Sequence, residues 1–214
     1  MKNSALFLLL FPFFSFSQDT QSFFIKPYLG FSNSSQFGET IKSFDKQKCR
    51  KAFTIGVMTE NTLDEKFSFV SGIQYQQMGS TLIDNPIDPP LYEGIYDKEK
   101  FDYLSVPLLI KYKFGVNQKW NVQAGFVLSR LLSATSNGQD ISHVINYNQV
   151  GASLGFGYVI KINDRMSFSI DQQNSVGLIK NTANNQGTLG YYKSNTYKIY
   201  NFYSCLNFGI QIGL

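Results

Sequence analysis

The sequence predicts an all-β fold: an eight-stranded antiparallel up-and-down transmembrane β-barrel with long outer loops and short periplasmic turns. Three patterns carry this. First, residues 200–214 alternate. Tyr200, Phe202, Leu206, Phe208, Ile210, Ile212 and Leu214 are apolar, with Ser204 the one small exception, while Asn201, Tyr203, Cys205, Asn207, Gly209, Gln211 and Gly213 lie between them. Period two over this length is a strand with one greasy face and one polar or small face. It exceeds the usual strand of about 5–6 residues and suits the roughly 9–11 tilted residues that cross a bilayer. Second, the connections between such segments alternate in length, as they do in outer-membrane barrels. Third, the strand glycines gather on the face opposite the greasy one.

Seven further segments precede this one. Residues 23–31 place Ile25, Pro27, Leu29 and Phe31 on one face, and residues 52–60 place Phe53, Ile55 and Val57 there. Residues 66–77 follow with Phe67, Phe69, Ile73 and Tyr75, then residues 101–114 with Leu104, Val106, Leu108, Ile110, Tyr112 and Phe114. The fifth segment, 119–129, carries Trp120, Val122, Ala124, Phe126 and Leu128; the sixth, 150–161, carries Val150, Ala152, Leu154, Phe156, Tyr158 and Ile160. The seventh, 165–178, alternates cleanly at Met166, Phe168 and Ile170 and turns polar in its upper half. Long polar stretches follow the odd segments (32–51, 78–100, 130–149 and 179–197), and short turns follow the even ones (61–65, 115–118 and 162–164).

The opposite face predicts a filled lumen. Gly30, Gly56, Gly72, Gly125, Gly151, Gly155, Gly157, Gly209 and Gly213 share it with Tyr28, Tyr203, Gln74, Gln123 and Lys111. Glycine weakens a strand and needs a reason. An eight-strand interior, only just wide enough for side chains, supplies one. Lys26, Lys111, Lys113 and Asp171 have inward parity, and a buried unpaired charge is costly, so Asp171 is expected against Lys26 or Lys111. Pro107 lacks a ladder donor, so a bulge or a missing bond is expected there. Aromatic girdles are expected from Trp120, Tyr112, Phe114, Phe23 and Phe24 at the periplasmic ends, and from Phe101, Tyr103, Tyr75 and Tyr200 at the loop ends.

Composition agrees. Aromatics make up 16% of the chain, with 20 Phe and 13 Tyr, and the mean hydropathy of -0.15 suits strands that are half polar. Lys2, the apolar run 5–16 and the small residues before Gln18 read as a secretory signal peptide, residues 1–17, cut after Ser17. Residues 18–214 then form one barrel domain. The net charge of +4 is scattered rather than striped, which argues against nucleic acid as a partner. Cys49 and Cys205 match no metal spacing. A secreted context permits a disulfide between them, but the mid-strand place of Cys205 and the loop place of Cys49 favour two free thiols.

No catalytic, cofactor or metal site is expected. His143, the only histidine, adjoins Ser142 in a loop, and adjacent loop residues with no oriented acid do not make a nucleophile and base. Asp84 and Asp88 stand among prolines, which reads as a stiff surface loop rather than a calcium cage. Gly155-Phe156-Gly157 is strand, so it is no nucleotide fingerprint.

The stretch Tyr103-Leu104-Ser105-Val106-Pro107-Leu108-Leu109-Ile110-Lys111-Tyr112-Lys113-Phe114 resembles the strand Y-L-(E/S)-(I/V)-P-L-L-(L/I)-K-Y-(K/R)-F of the PorT-like outer-membrane β-barrel family of Bacteroidetes-type bacteria. The signal ending Phe-Ser-Gln is similar to that lineage as well. The layout matches over the mature chain, and the motif is sharp in this strand and in the glycine-rich sixth. Ser105 stands where many members carry an acid, and Leu214 departs from the aromatic end residue common in outer-membrane barrels. The resemblance implies a non-enzymatic envelope protein with a structural or accessory role, one member type being needed for protein secretion. Its partners would be outer-membrane lipids and, through the long loops, other envelope or secretion proteins; it fixes no oligomeric state. Two alternatives stand beside it: a soluble lipocalin-like barrel for a hydrophobic ligand, and a lipid-modifying barrel enzyme using Ser142 and His143.

Overall fold

The computed structural model describes residues 23–38, 46–84, 95–180 and 199–214. The signal segment and Asp88 lie outside these. Eight long strands, β1 (Phe23–Gly38), β2 (Lys46–Thr62), β3 (Phe67–Asp84), β4 (Ile95–Phe114), β5 (Trp120–Ser136), β7 (Asn148–Lys161), β8 (Met166–Gly177) and β9 (Ile199–Gly213), pair in sequence, each antiparallel to the next. A two-residue strand, β6 (Gln139–Asp140), forms a small hairpin on the end of β5. Pairing of β4 with β5 and of β1 with β9 closes the sheet on itself. Closure gives each of the eight long strands a partner on both sides, so the ladder satisfies most of its backbone groups internally.

The faces sort as the alternation predicts. Phe202 and Ile210 are 36% and 42% exposed, while their neighbours Asn207 and Gln211 are 6% and 7% exposed. A belt of exposed apolar side chains rings the exterior, including Leu29, Phe31, Ile55, Ile73, Phe126 and Leu154. At the short-turn end Trp120, Tyr158, Phe156, Phe114, Tyr112 and Phe67 form a run of ring contacts. The expected inward glycines make room: a Cβ on Gly157 would lie 2.1 Å from Asp171 Oδ1, and one on Gly56 would lie 2.9 Å from the Tyr28 ring.

Three expectations change. The strands β1 to β5 run well past the predicted ends and are 16 to 20 residues long, whereas β7 to β9 have 12 to 15. One wall of the barrel is therefore taller, and much of the predicted long-loop sequence is strand. Second, Phe101 and Tyr103 are not girdle residues; both are fully buried inside the barrel, because they alternate with the outward Leu104. Phe24 likewise sits at the inner mouth with Lys113 Nζ over its ring. Third, Cys49 lies in β2 rather than in a loop; it is exposed, Cys205 is buried, and both are free thiols. At Pro107 the second of the two expected outcomes holds: a gap in the pairing without a bulge. The β3–β4 register is the same at Ser71↔Leu108 and Gln74↔Ser105, with no pairing between them. Bulges occur instead between Cys49 and Thr54 on β2 and beside Tyr103 where β4 meets β5.

Candidate functional site

The lumen is built in three tiers. Nearest the short turns, Asp171 on β8 receives Lys26 Nζ from β1 at 2.8 Å and Gln123 from β5 at 3.1 Å. Beside it Glu60 on β2 takes Lys111 and Lys113 from β4, the latter at 2.8 Å, and Gln211 from β9 at 3.2 Å. The expected Asp171–Lys26 contact is present. Glu60 is the residue that the sequence reading missed; its parity with Thr54 and Met58, opposite Phe53, Ile55 and Val57, was the available signal. These side chains come from six strands, and each bond reaches over one intervening strand, so the ion pairs tie next-but-one strands together inside the barrel.

The middle tier is neutral. Tyr28 donates to Gln74 Oε1, Gln74 to Gln76 Oε1 at 3.0 Å, and Ser105 to Gln76 Oε1 and to Ser129. Thr54 and Tyr203 are bonded hydroxyl to hydroxyl across the lumen. Ser105 is thus absorbed into a hydrogen-bonded layer without a charge. The third tier, at the long-loop end, is mainly apolar: Met78, Leu82, Phe101, Tyr103, Leu131, Ala134, Ile141, Ile145 and Ile199 form one buried cluster, with Gln36, Ser80 and Glu99 buried at the same end. Ile141 and Ile145 come from the segment joining β5 to β7, which folds back into the mouth.

That plug also fixes the place of Ser142. Ser142 Oγ accepts the Ala134 amide at 3.0 Å, and the Ser142 amide donates to Asp140 at 2.8 Å. The serine pins the plug to β5, while His143 is exposed. The Asp140 carboxyl is held below its ordinary range, first by the Ser142 amide. In the short turns Asp64 is lowered by amides of Phe67 and Lys66, both at 2.7 Å, and Asp164 by its bond to Lys161. Among the described residues, cavities of about 20 and 30 Å³ remain around these tiers, each room for ordered water at most.

Known proteins agree with this architecture. No curated protein matches the sequence. Among solved structures, Neisserial surface protein A is similar at 12% identity over 92% of this chain and 100% of that one, with a TM-score of 0.52. OprG of Pseudomonas aeruginosa shares 12% identity over 92% and 100%, at a TM-score of 0.48. Ail of Yersinia pestis shares 10% over 89% and 99%, at 0.43. The first of these likenesses supports the fold alone. The model of the family described as outer membrane protein beta-barrel domain matches residues 16–214. A closed eight-strand barrel with an apolar outer belt and a packed polar interior thus meets a family match over nearly the whole chain, and the protein belongs to the outer membrane protein beta-barrel domain family as a small barrel of the outer membrane.

Proposed function

We propose that this barrel is a PorT-like, non-enzymatic envelope protein that works from its outer surface and extracellular rim, as an accessory to protein secretion across the outer membrane. The observation that carries this is the filled lumen: ion pairs, a hydrogen-bonded layer and an apolar plug leave a solute no route. What remains for function is the exterior. Its belt meets outer-membrane lipids. Above the belt Lys48, Lys51, Lys98, Lys100 and Arg130 face outward and exposed, positioned for lipid phosphates or for an acidic surface of another envelope protein. The secretion role rests on the resemblance of the Tyr103–Phe114 strand.

The lipid-modifying alternative asks Ser142 and His143 to work together, but Ser142 serves the plug backbone. The soluble-barrel alternative asks for an apolar lumen, but Lys26, Glu60, Lys111 and Asp171 fill it. A deletion strain scored for secreted proteins is the test. Loss of secretion that is restored by the wild-type chain supports the reading, and unchanged secretion contradicts it. Single-channel recording on the purified barrel is expected to show no stable, large openings. Lipid A mass is expected to be the same in strains carrying wild type, Ser142→Ala or His143→Ala.

A further inference from the structure

Among the described residues, polar side chains interrupt the apolar belt in two places: Thr59 and Ser71, adjacent on β2 and β3 with the Thr59 hydroxyl donating to the Ser71 carbonyl, and a wider amide patch. On the outer face of β8 stand Gln172 and Asn174, and on the neighbouring β9 stands Ser204. The ladder sets Gln172 between Phe156 and Leu206, and Asn174 between Leu154 and Ser204. Ser204 in turn pairs with the exposed Asn33 of β1. The patch is not the upper margin of the belt. Below it on the same face lie Ile170 and Phe168, and above it lie Val176, Phe202 and the stacked pair Phe37–Tyr200. Elsewhere on the outer face Ile55, Ile73 and Phe126 are apolar and exposed.

Hydrocarbon offers these groups nothing. Polar side chains facing lipid are costly and mark interfaces or pathways, and the lumen behind this wall is already filled. Internal bonding uses part of the patch only: Gln172 Nε2 donates to Ser204 Oγ at 2.9 Å and reaches Asn174 Oδ1 at 3.4 Å. Among the described residues the Gln172 carbonyl and the Asn174 amide hydrogens have no other bond. A soluble partner does not reach this depth, and an acyl chain has no donor or acceptor to give. The occupant must be another membrane-embedded protein surface.

We infer that the occupant is a second copy of this chain, packed β8–β9 against β8–β9 about a two-fold axis in the membrane. The patch is uncharged and carries both a free acceptor and free donors. It is therefore self-complementary, as an isologous interface requires: Gln172 of one copy accepts from Asn174 of its partner, and the reverse. Reversing either amide keeps the balance. Leu154, 63% exposed, and Phe31, 64% exposed, flank the polar centre and supply apolar contact. Interchain side-chain hydrogen bonds of this kind hold membrane segments together where the hydrophobic effect does not.

The test is photocrosslinking of the full chain in the outer membrane of cells. Benzoylphenylalanine replaces Leu154 beside the patch or, as a control, Ile73 on the opposite wall. The expected result is an adduct of twice the monomer mass, containing only this chain, from position 154 and not from position 73. Gln172→Leu, Asn174→Leu and Ser204→Ala together are expected to lower that yield at least tenfold while the barrel stays folded, read by its heat-dependent gel shift. Asn174→Leu alone, the milder variant, is expected to lower it as well. Equal yields at the two positions, an adduct with a different membrane protein, or a yield that neither variant changes overturns the inference.

Discussion

Two levels of the same barrel obey opposite rules. At belt height on β4, Ile110 and Leu108 face out and Lys111 faces in; higher on the same strand Lys100 and Lys98 face out and Phe101 faces in. On β5, Phe126 is outside and Gln123 inside at belt height, while Leu131 and Ala134 are buried inside above it. The strand and its pleat do not change across this boundary. The solvent does. Surrounded by hydrocarbon, the chain puts its apolar side chains out and satisfies its charges with one another. Surrounded by water, it behaves as a soluble barrel with a hydrophobic core. The packed interior is thus two structures end to end: an ion-paired staple below and an apolar plug above.

Substitutions can break this comparison at either level, and the largest effects fall inside. Phe101→Ala is expected to cost about 3–5 kcal/mol as a core cavity, read by urea unfolding in lipid vesicles. Phe126→Ala, equally aromatic but outward, should cost under about 1 kcal/mol, since the residue exchanges lipid contacts rather than packing. Glu60→Ala strips both Lys111 and Lys113 of their partner and should also cost about 3–5 kcal/mol. Phe126→Arg at mid-belt should cost about 2–4 kcal/mol, whereas Lys100→Leu on the same outward side above the belt should stay within about 0.5 kcal/mol. If those two cost the same, the boundary between the levels is misplaced.

Smaller effects test the connections. Ser142→Ala removes the acceptor for the Ala134 amide and should cost about 1 kcal/mol, with faster hydrogen exchange at Ala134 and none near Asp171. The weakest is a pH effect at the short-turn end. The Asp64 carboxyl is depressed by two amide bonds, so its contribution is complete above its unfolded pKa, about 4, and is lost as pH falls below that through the depressed value. Amide exchange at Phe67 should therefore show more opening as the pH is lowered past that point, and Asp64→Asn should flatten the dependence.

The comparison also explains what was legible in the sequence. Eight strands, their outward faces, the inward glycines and the Lys26–Asp171 pair follow from period two within the belt, where greasy residues mark the outside. Above the belt period two persists with its sign reversed. Residues 98–100 then read as the end of a polar loop, and Phe101 and Tyr103, at the start of the next segment, as girdle residues. Glu60 closes the segment 52–60 with inward parity, but nothing local to it names Lys111 and Lys113 as its partners. Ile141 and Ile145 give no local signal. They are plug residues only because the segment after β6 turns back into the barrel, and that depends on the mouth being wide and apolar. The outward Ser204 was visible as an interruption, but its neighbours Gln172 and Asn174 became meaningful only once the register put all three side by side.

The inversion is tested most directly by nuclear Overhauser contacts between acyl-chain methylenes and side-chain protons of the barrel in lipid nanodiscs. Strong lipid contacts at Phe126, Ile55 and Leu154, with none at Phe101, Leu82 or Ile141, are predicted. Lipid contacts at the Phe101 ring, or their absence at Phe126, would contradict the account.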